Sequence, residues 1–279
     1  MPFRIVRKQE LIPGRTSLMV LDAPQIAKMA KPGNFVILRN NEKGERYPLT
    51  IADTDAANGT ISIVFLVMGK STAVLNSLNE GDEILDVCGP LGKATHIKKH
   101  GTVICVGGGT GIAAMHHIAK GHHQAGNHVV AVIGARSEDL LLFRHELETF
   151  CPEVAISTDD GSCGHKGLVT EVLKMRLESD KSVKEVVAIG PVPMMRAVVN
   201  TVKPFGVPVT VSLNAMMVDG MGMCGACRVS INGETKFTCV DGPEFSGYDV
   251  DFDELQSRLA ALKDKEQISK DHQCQCGGH

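Results

Sequence analysis

Asp219, Cys224, Cys227 and Cys239 place one carboxylate and three thiols along a glycine-rich run, D-G-M-G-M-C-G-A-C-R-V-S-I-N-G-E-T-K-F-T-C, a donor set suited to a metal centre. Only Gly225 and Ala226 separate Cys224 from Cys227, so both thiolates can converge on one metal. Gly220, Gly222 and Gly225 let the backbone wrap closely around it. Cys239 returns after a predicted hairpin. Tetrahedral zinc and a 2Fe-2S cluster both need four ligands, and three cysteines complete neither. Four residues separate Asp219 from Cys224, the spacing that precedes the second cysteine of plant-type iron-sulfur runs, and a carboxylate oxygen can ligate iron. The four residues therefore read as a cluster set that moves electrons. A structural zinc knuckle, or thiols that are simply small and buried, are the alternatives.

The other cysteines differ in setting. Cys88, Cys105 and Cys151 lie in or beside apolar runs, where a buried, inert thiol is expected. Cys163 stands in the glycine-rich loop D-D-G-S-C-G-H-K-G, a place near a ligand, and Cys274 and Cys276 belong to the polar end H-Q-C-Q-C-G-G-H, expected to be a disordered tail, with adventitious metal binding or ordering against a partner as the alternatives. His96, His100, His116, His117, His122 and His123 are expected on helix surface, and no Ser-His-acid arrangement or other general acid-base set is found.

Two kinds of scaffold must hold these groups. Phe3 to Gln9, Thr16 to Leu21, Asn34 to Leu38, Thr60 to Val67 and Glu83 to Val87 are short apolar or alternating runs set off by Pro, Gly, Asn and Asp. They predict a small antiparallel β-barrel, interrupted by a helix over Ser71 to Leu78. The rhythm then changes. Buried-type strands at Thr102–Val106, Val129–Ile133, Val154–Ser157, Val186–Ile189 and Val209–Val211 alternate with helices near Ile112–His123, Leu140–Thr149, Leu168–Leu177 and Pro193–Val202. That alternation predicts a doubly wound α/β domain.

Each scaffold carries a phosphate-binding pattern. In V-I-C-V-G-G-G-T-G-I-A-A, starting at Val103, a strand feeds glycines into a helix, which brings a pyrophosphate onto backbone N–H groups at a helix N-terminus. A tight turn would use the same glycines. Arg136 in G-A-R-S stands where an acid is expected for NAD, and V-V-A-I-G-P-V-P-M-M-R adds a second strand end at Gly190. In the barrel, Arg46-Tyr-Pro-Leu-Thr50 offers a guanidinium, an aromatic ring and a hydroxyl, though an ordinary strand with a surface arginine fits it equally. G-K-S-T at Gly69 opens a helix as a further phosphate cradle. Pro193, Met194 and Met195 read as helix start and core.

Composition narrows the partners. The 279 residues suffice for two medium cores and an appendage. A net charge of −3, from 29 basic and 32 acidic residues, gives no case for nucleic acid, and two tyrosines without tryptophan leave few stacking platforms. MPFRIVRKQE lacks the apolar core of a signal peptide, and no run reaches the roughly 18 apolar residues of a membrane span, so a location in the cytoplasm is expected.

Taken together, R-Y-P-L-T, G-K-S-T, G-G-G-T-G, G-P-V-P-M-M-R and D-G-M-G-M-C-G-A-C resemble the ferredoxin-NADP reductase superfamily over all but the final tail. Within it the chain is most similar to the electron-transfer subunits of dihydroorotate dehydrogenase and of NADH-dependent reduced ferredoxin:NADP oxidoreductase, also called sulfide dehydrogenase. The resemblance implies an FAD-binding barrel over 1–98, an NAD-binding α/β domain over 99–213, a 2Fe-2S domain over 214–248, and a helix and polar tail over 249–279. It implies that Arg46, Tyr47, Pro48, Leu49 and Thr50 hold the flavin, with Leu66 and Val67 nearby, and that Gly69, Ser71 and Thr72 receive its pyrophosphate. Gly108, Gly109, Thr110, Gly111, Arg136, Asp160 and Gly190 would face NAD(H). Dihydroorotate dehydrogenase relatives use four cysteines for the cluster. Asp219 in the first place is shared with the oxidoreductase relatives and favours them. These pair with a larger FAD and 4Fe-4S subunit that binds NADP(H) and meets ferredoxin.

Overall fold

In the computed structural model, which describes residues 2–261 with Asp264, Gln267 and Ile268, alternation in the N-terminal third becomes a barrel. Its strands are β1 (Phe3–Ile12), β2 (Thr16–Asp22), β3 (Phe35–Arg39), β4 (Tyr47–Asp55), β5 (Thr60–Leu66), β6 (Glu83–Ile84) and β7 (Asp86–Leu91). They pair antiparallel in the order β6-β1-β2-β5-β4-β3-β7, a near-closed barrel around Ile5, Met19, Leu21, Ile51, Ile61 and Ile63. Helix α1 (Pro24–Met29) starts on its proline, and α2 (Lys70–Ser77) follows β5.

Long apolar runs make strands buried on both faces, and these form the second sheet. It contains β8 (Thr102–Gly108), β9 (His128–Ala135), β10 (Glu153–Thr158), β11 (His165–Lys166), β12 (Val183–Ile189) and β13 (Val209–Ser212), all parallel, with β16 (Glu244–Ser246) antiparallel at its edge. The order is β11-β10-β9-β8-β12-β13-β16. Helix α3 (Gly111–Gln124) covers one face, where α4 (Arg144–Glu148) also adds Leu147. Helices α5 (Val169–Ser179) and α6 (Val192–Val202) cover the other. Between β13 and β16 the chain makes an excursion containing the hairpin β14 (Arg228–Ile231) and β15 (Glu234–Phe237), and α7 (Phe252–Ala260) follows β16. No helix among the described residues is long and apolar enough to cross a membrane.

Several expectations need correction. His116, His117 and His122 are buried, because α3 is enclosed by the sheet on one side and by the barrel on the other. The Nδ1 of His117 lies 3.0 Å from the Ile51 carbonyl of β4. Cys88 is exposed, since β7 turns Val87 inward and its neighbour outward. The helix expected over Leu140–Thr149 shrinks to α4, because Phe143 takes a left-handed conformation (φ 55°) and packs with Ala52, Val64 and Ala113. Cys274 and Cys276 lie outside the described residues.

Burial holds the imidazoles of His116 and His117 below their ordinary value of 6.5. The folded chain therefore binds fewer protons than the unfolded one, so this contribution to stability is whole above pH 6.5 and is lost as pH falls below it. His116 packs beside Phe143 and Phe150, so His116→Phe keeps the ring contacts without the titrating group. Thermal unfolding from about pH 7.5 to about pH 5.5 should cost the parent more than this variant. Parallel curves would remove His116 from the account.

Candidate functional site

The cluster run leaves β13 and folds as a loop shaped by glycines at positive φ: Gly220 at 73°, Gly222 at 81° and Gly225 at 68°. Asp219 organises it. One carboxylate oxygen accepts from the Met221 N–H at 2.8 Å and the other from the Cys224 N–H at 2.7 Å, and these amides, Met221 first, hold its carboxyl below the usual range. Each oxygen retains a lone pair for a metal. Cys227 and Cys239 are both buried, and the Cys227 thiol donates to the Cys239 sulfur at 3.2 Å across the base of the hairpin. Burial first, then Cys227, pushes the Cys239 thiol up to about 12. A buried thiol pair of this kind becomes thiolate only beside a strong cation. Cys224 is exposed at the loop tip.

The donors thus fall into two pairs, Asp219 with Cys224, whose backbone N–H and side chain both interact with the carboxylate, and Cys227 with Cys239 through their sulfurs. No three of the four bring ligand atoms within 4.8 Å of one another, as a single tetrahedral ion demands. Two pairs fit a two-iron cluster better than one zinc ion.

In the barrel, Tyr47 through Thr50 lie half-buried on β4, paired with Leu38 through Phe35 of β3. The Tyr47 hydroxyl donates to Asn40 Oδ1 at 2.5 Å, the Asn40 amide donates to the Ser71 carbonyl at 2.9 Å, and the Ser71 hydroxyl donates to Glu45 at 2.8 Å. This chain joins R-Y-P-L-T to the first turn of α2. Thr72 Oγ1 accepts from the N–H groups of Met68 and Gly69, both at 3.1 Å, and shapes the turn into that helix. Arg46 is exposed at the rim, and Leu66, the last residue of β5, and Val67 after it are half-buried.

The third group sits where the strand order of the parallel sheet reverses, between β8 and β12, the crevice in which open α/β sheets bind ligands. Gly107 of β8 pairs with Ile189 of β12. A Cβ on Gly111 would fall 2.6 Å from the Ile189 carbonyl and 2.8 Å from Gly190 Cα, so glycine is what allows α3 to start against the second strand end. Gly109 turns at φ 56°, and no side chain caps the N-terminus of α3. Arg136 and Asp160 are exposed at the ends of β9 and β10, where the Asp160 N–H donates to the Arg136 carbonyl at 3.2 Å. Hydrogen bonds from Ser162 keep the Asp160 carboxyl low. Cys163, in the same loop, receives a 3.5 Å contact from the Arg144 guanidinium.

These groups meet across single elements. Phe35 and Ile37 of β3 belong to the core that contains Cys227 and Cys239, whereas Val36 and Leu38 belong to the barrel core with Tyr47 and Leu49. Gly220 lies against Ile37 and Leu91 so closely that a Cβ there would fall 2.8 Å from each. Ala113, in the first turn of α3, packs on Ala52 of β4. Met194 packs against the core as expected, and its side chain also fills the space above Gly108 and Gly190. Sequence reasoning missed Asn40, which only its pairing with Tyr47 reveals.

Comparison with known proteins gives two family matches. Residues 105–200 match the oxidoreductase NAD-binding domain, and residues 214–251 match the iron-sulfur cluster binding domain of dihydroorotate dehydrogenase B. The chain is 48% identical over 249 residues to the dihydroorotate dehydrogenase B (NAD(+)) electron transfer subunit homolog of Thermotoga maritima, covering 89% of this chain and 88% of the relative. It is 33% identical over 231 residues to the corresponding electron transfer subunit of Fusobacterium nucleatum, covering 80% and 87%. A solved chain from a study of flavin-based electron bifurcation in NADH-dependent reduced ferredoxin-NADP oxidoreductase superposes with a TM-score of 0.91 at 44% identity, over 96% of both chains.

Gly111→Ala tests the crevice. Crowding against the β12 end should destabilise the protein by about 1–3 kcal/mol and weaken NADH binding. Fluorescence titration with NADH together with a melting curve would check it. Unchanged affinity and melting would mean that α3 need not start where it does.

Proposed function

The chain belongs to the dihydroorotate dehydrogenase B electron transfer subunit family, as an NAD(H)/FAD/iron-sulfur electron-transfer subunit, and we propose that its β3–β4 pair forms the bridge between flavin and cluster. The observation that carries this reading is that β3, paired with Tyr47–Thr50 of β4, gives Phe35 and Ile37 to the core holding Cys227 and Cys239 and Val36 and Leu38 to the barrel core, with Ile37 against Gly220 of the cysteine loop. When bound, FAD supplies the conversion between the two-electron chemistry of a nicotinamide and the one-electron chemistry of an iron-sulfur cluster.

The side chains supply position. Arg46, Tyr47, Pro48, Leu49 and Thr50 would hold the flavin with Leu66 and Val67, while Gly69, Ser71 and Thr72 at the start of α2 receive its pyrophosphate. Burial raises the Tyr47 hydroxyl well above its ordinary range, so it stays a neutral donor to Asn40. Gly108, Gly109, Thr110, Gly111 and Gly190 would cradle NAD(H), with Arg136 and Asp160 at the outer rim. Asp219, Cys224, Cys227 and Cys239 would ligate a 2Fe-2S cluster. No side chain is needed as general acid or base.

The assembly that fits best is the ferredoxin:NADP oxidoreductase type, in the cytoplasm, with a larger FAD and 4Fe-4S subunit that binds NADP(H) and meets ferredoxin. Asp219 in the first ligand position supports it, as does the 44% identity over 96% of the bifurcating relative's chain. Exposed Cys224 is flanked by Val218, Met221 and Met223, an apolar rim suited to a protein partner. The 48% identity to the Thermotoga protein supports a second assembly, with a partner that oxidises dihydroorotate.

Anaerobic purification with the co-expressed partner should give two irons and one FAD per copy of this chain. Asp219→Cys should retain both and alter the EPR spectrum of the reduced cluster; an unaltered spectrum would remove Asp219 from the ligand set. NADH should reduce the bound flavin faster than NADPH, and the reverse order would make Arg136 a 2′-phosphate contact. A fully active homodimer without any second polypeptide would sink the partner assignment.

A further inference from the structure

At the end of the parallel strands opposite the glycine crevice, three side chains converge that the electron path does not use. His100 ends the segment joining barrel to sheet, His122 lies in the last turn of α3, and Glu185 lies near the start of β12. One ring nitrogen from each histidine and one carboxylate oxygen all lie within 4.8 Å of one another. Nε2 of His100 is 3.2 Å from Oε2 of Glu185, and the two imidazole centroids are 6.2 Å apart.

The cluster is incompletely satisfied. His122 is 0% exposed, and its Nε2 has no hydrogen-bond partner among the described residues. The Asn127 amide donates to the carbonyls of Lys98 and His122 at 2.8 and 3.2 Å. Its Nδ2 also lies 3.4 Å from Nδ1 of His122, a long contact because both amide hydrogens are directed to those carbonyls. Glu185 Oε1 accepts from Thr210 at 3.0 Å, which leaves Oε2 for the histidine side. Glu244 lies close by, accepting from Thr95 at 2.7 Å; burial, reinforced by Glu185, lifts its carboxyl to about 7. Among the described residues no lysine or arginine pairs with either carboxylate. Two neighbouring acids and an orphaned buried imidazole nitrogen form a costly arrangement that a cation would relieve.

We propose that His100, His122 and Glu185 form a binding site for a zinc-class divalent cation, with water as fourth ligand, separate from the cysteine loop. Two imidazoles and one carboxylate suit zinc, and they supply too few oxygens for calcium or magnesium. The His100 side chain is 31% exposed and gives the ion a way in. The three ligands come from the stretch just before β8, from α3 and from β12, so the ion ties the entry of the nucleotide domain to both of its layers. Its role is structural: it pins the chain entering β8 to α3 and to β12.

The test uses the full chain with flavin and iron-sulfur centre loaded, stripped of loose metal and dialysed against zinc ion, with zinc, iron and flavin counted and melting recorded. The parent should hold one zinc per chain beyond its iron and melt higher with zinc. His100→Gln and Glu185→Gln should bind zinc more than about tenfold more weakly and lose the zinc-dependent rise, with iron and flavin unchanged. No zinc on the parent, or equal zinc on the parent and both variants, overturns the site. Should His122→Gln fail to fold, the other two variants carry the comparison.

Discussion

Strand β3 turns alternate side chains into two different cores, and the placement of the barrel site against the cysteine loop depends on that division. Phe35 and Ile37 join the core that holds Cys227 and Cys239 and Val36 and Leu38 join the barrel core, so the strand has no solvent side to spare. Each such side chain is worth about 1.5–3 kcal/mol when buried. A slip of one residue against β4 would exchange the two sets and send Tyr47–Thr50 to the wrong face, so register here is strongly specified. The same packing that stabilises the chain therefore also sets where β4 lies relative to the cysteine loop.

Helix α3 imposes the matching constraint on the nucleotide side. Its first turn rests on Ala52 of β4, and farther along Lys120 pairs with Asp53 at 2.9 Å. That ion pair is about one-third exposed on both sides and contributes little by itself. The apolar contact and the His117 interaction with the Ile51 carbonyl matter more, because they are buried. A helix held on two faces cannot tilt without disturbing both neighbours, so the glycine crevice at its start is fixed relative to β4.

Much of this architecture was legible in local pattern. The apolar runs of β8, β9 and β12 gave a parallel sheet, and the glycines after β8 marked the place where the strand order reverses. The spacing of the cysteines indicated a metal centre, and the hairpin before Cys239 formed as expected. What local pattern could not carry was the second face of an element. H-H-I-A-K-G-H-H reads as a polar helix surface, yet a separate barrel covers it, and only the tertiary fold joins His100, His122 and Glu185. Phe143 breaks its expected helix for a similar reason, since its pocket is built from β4, β5 and α3. The short β16 has too few residues to announce itself, and its pairing with β13 follows from the return of the chain.

That return has a topological consequence. The Leu213 N–H donates to the Pro243 carbonyl at 2.9 Å, and β16 then runs back along β13, so the metal-bearing excursion leaves and re-enters the sheet through one hydrogen-bonded neck. A segment with joined ends pays its loop-closure entropy at the neck rather than at the metal. The excursion is in this sense an inset cassette on a sheet edge, and its length and ligands are free to diverge while the parallel strands keep their register.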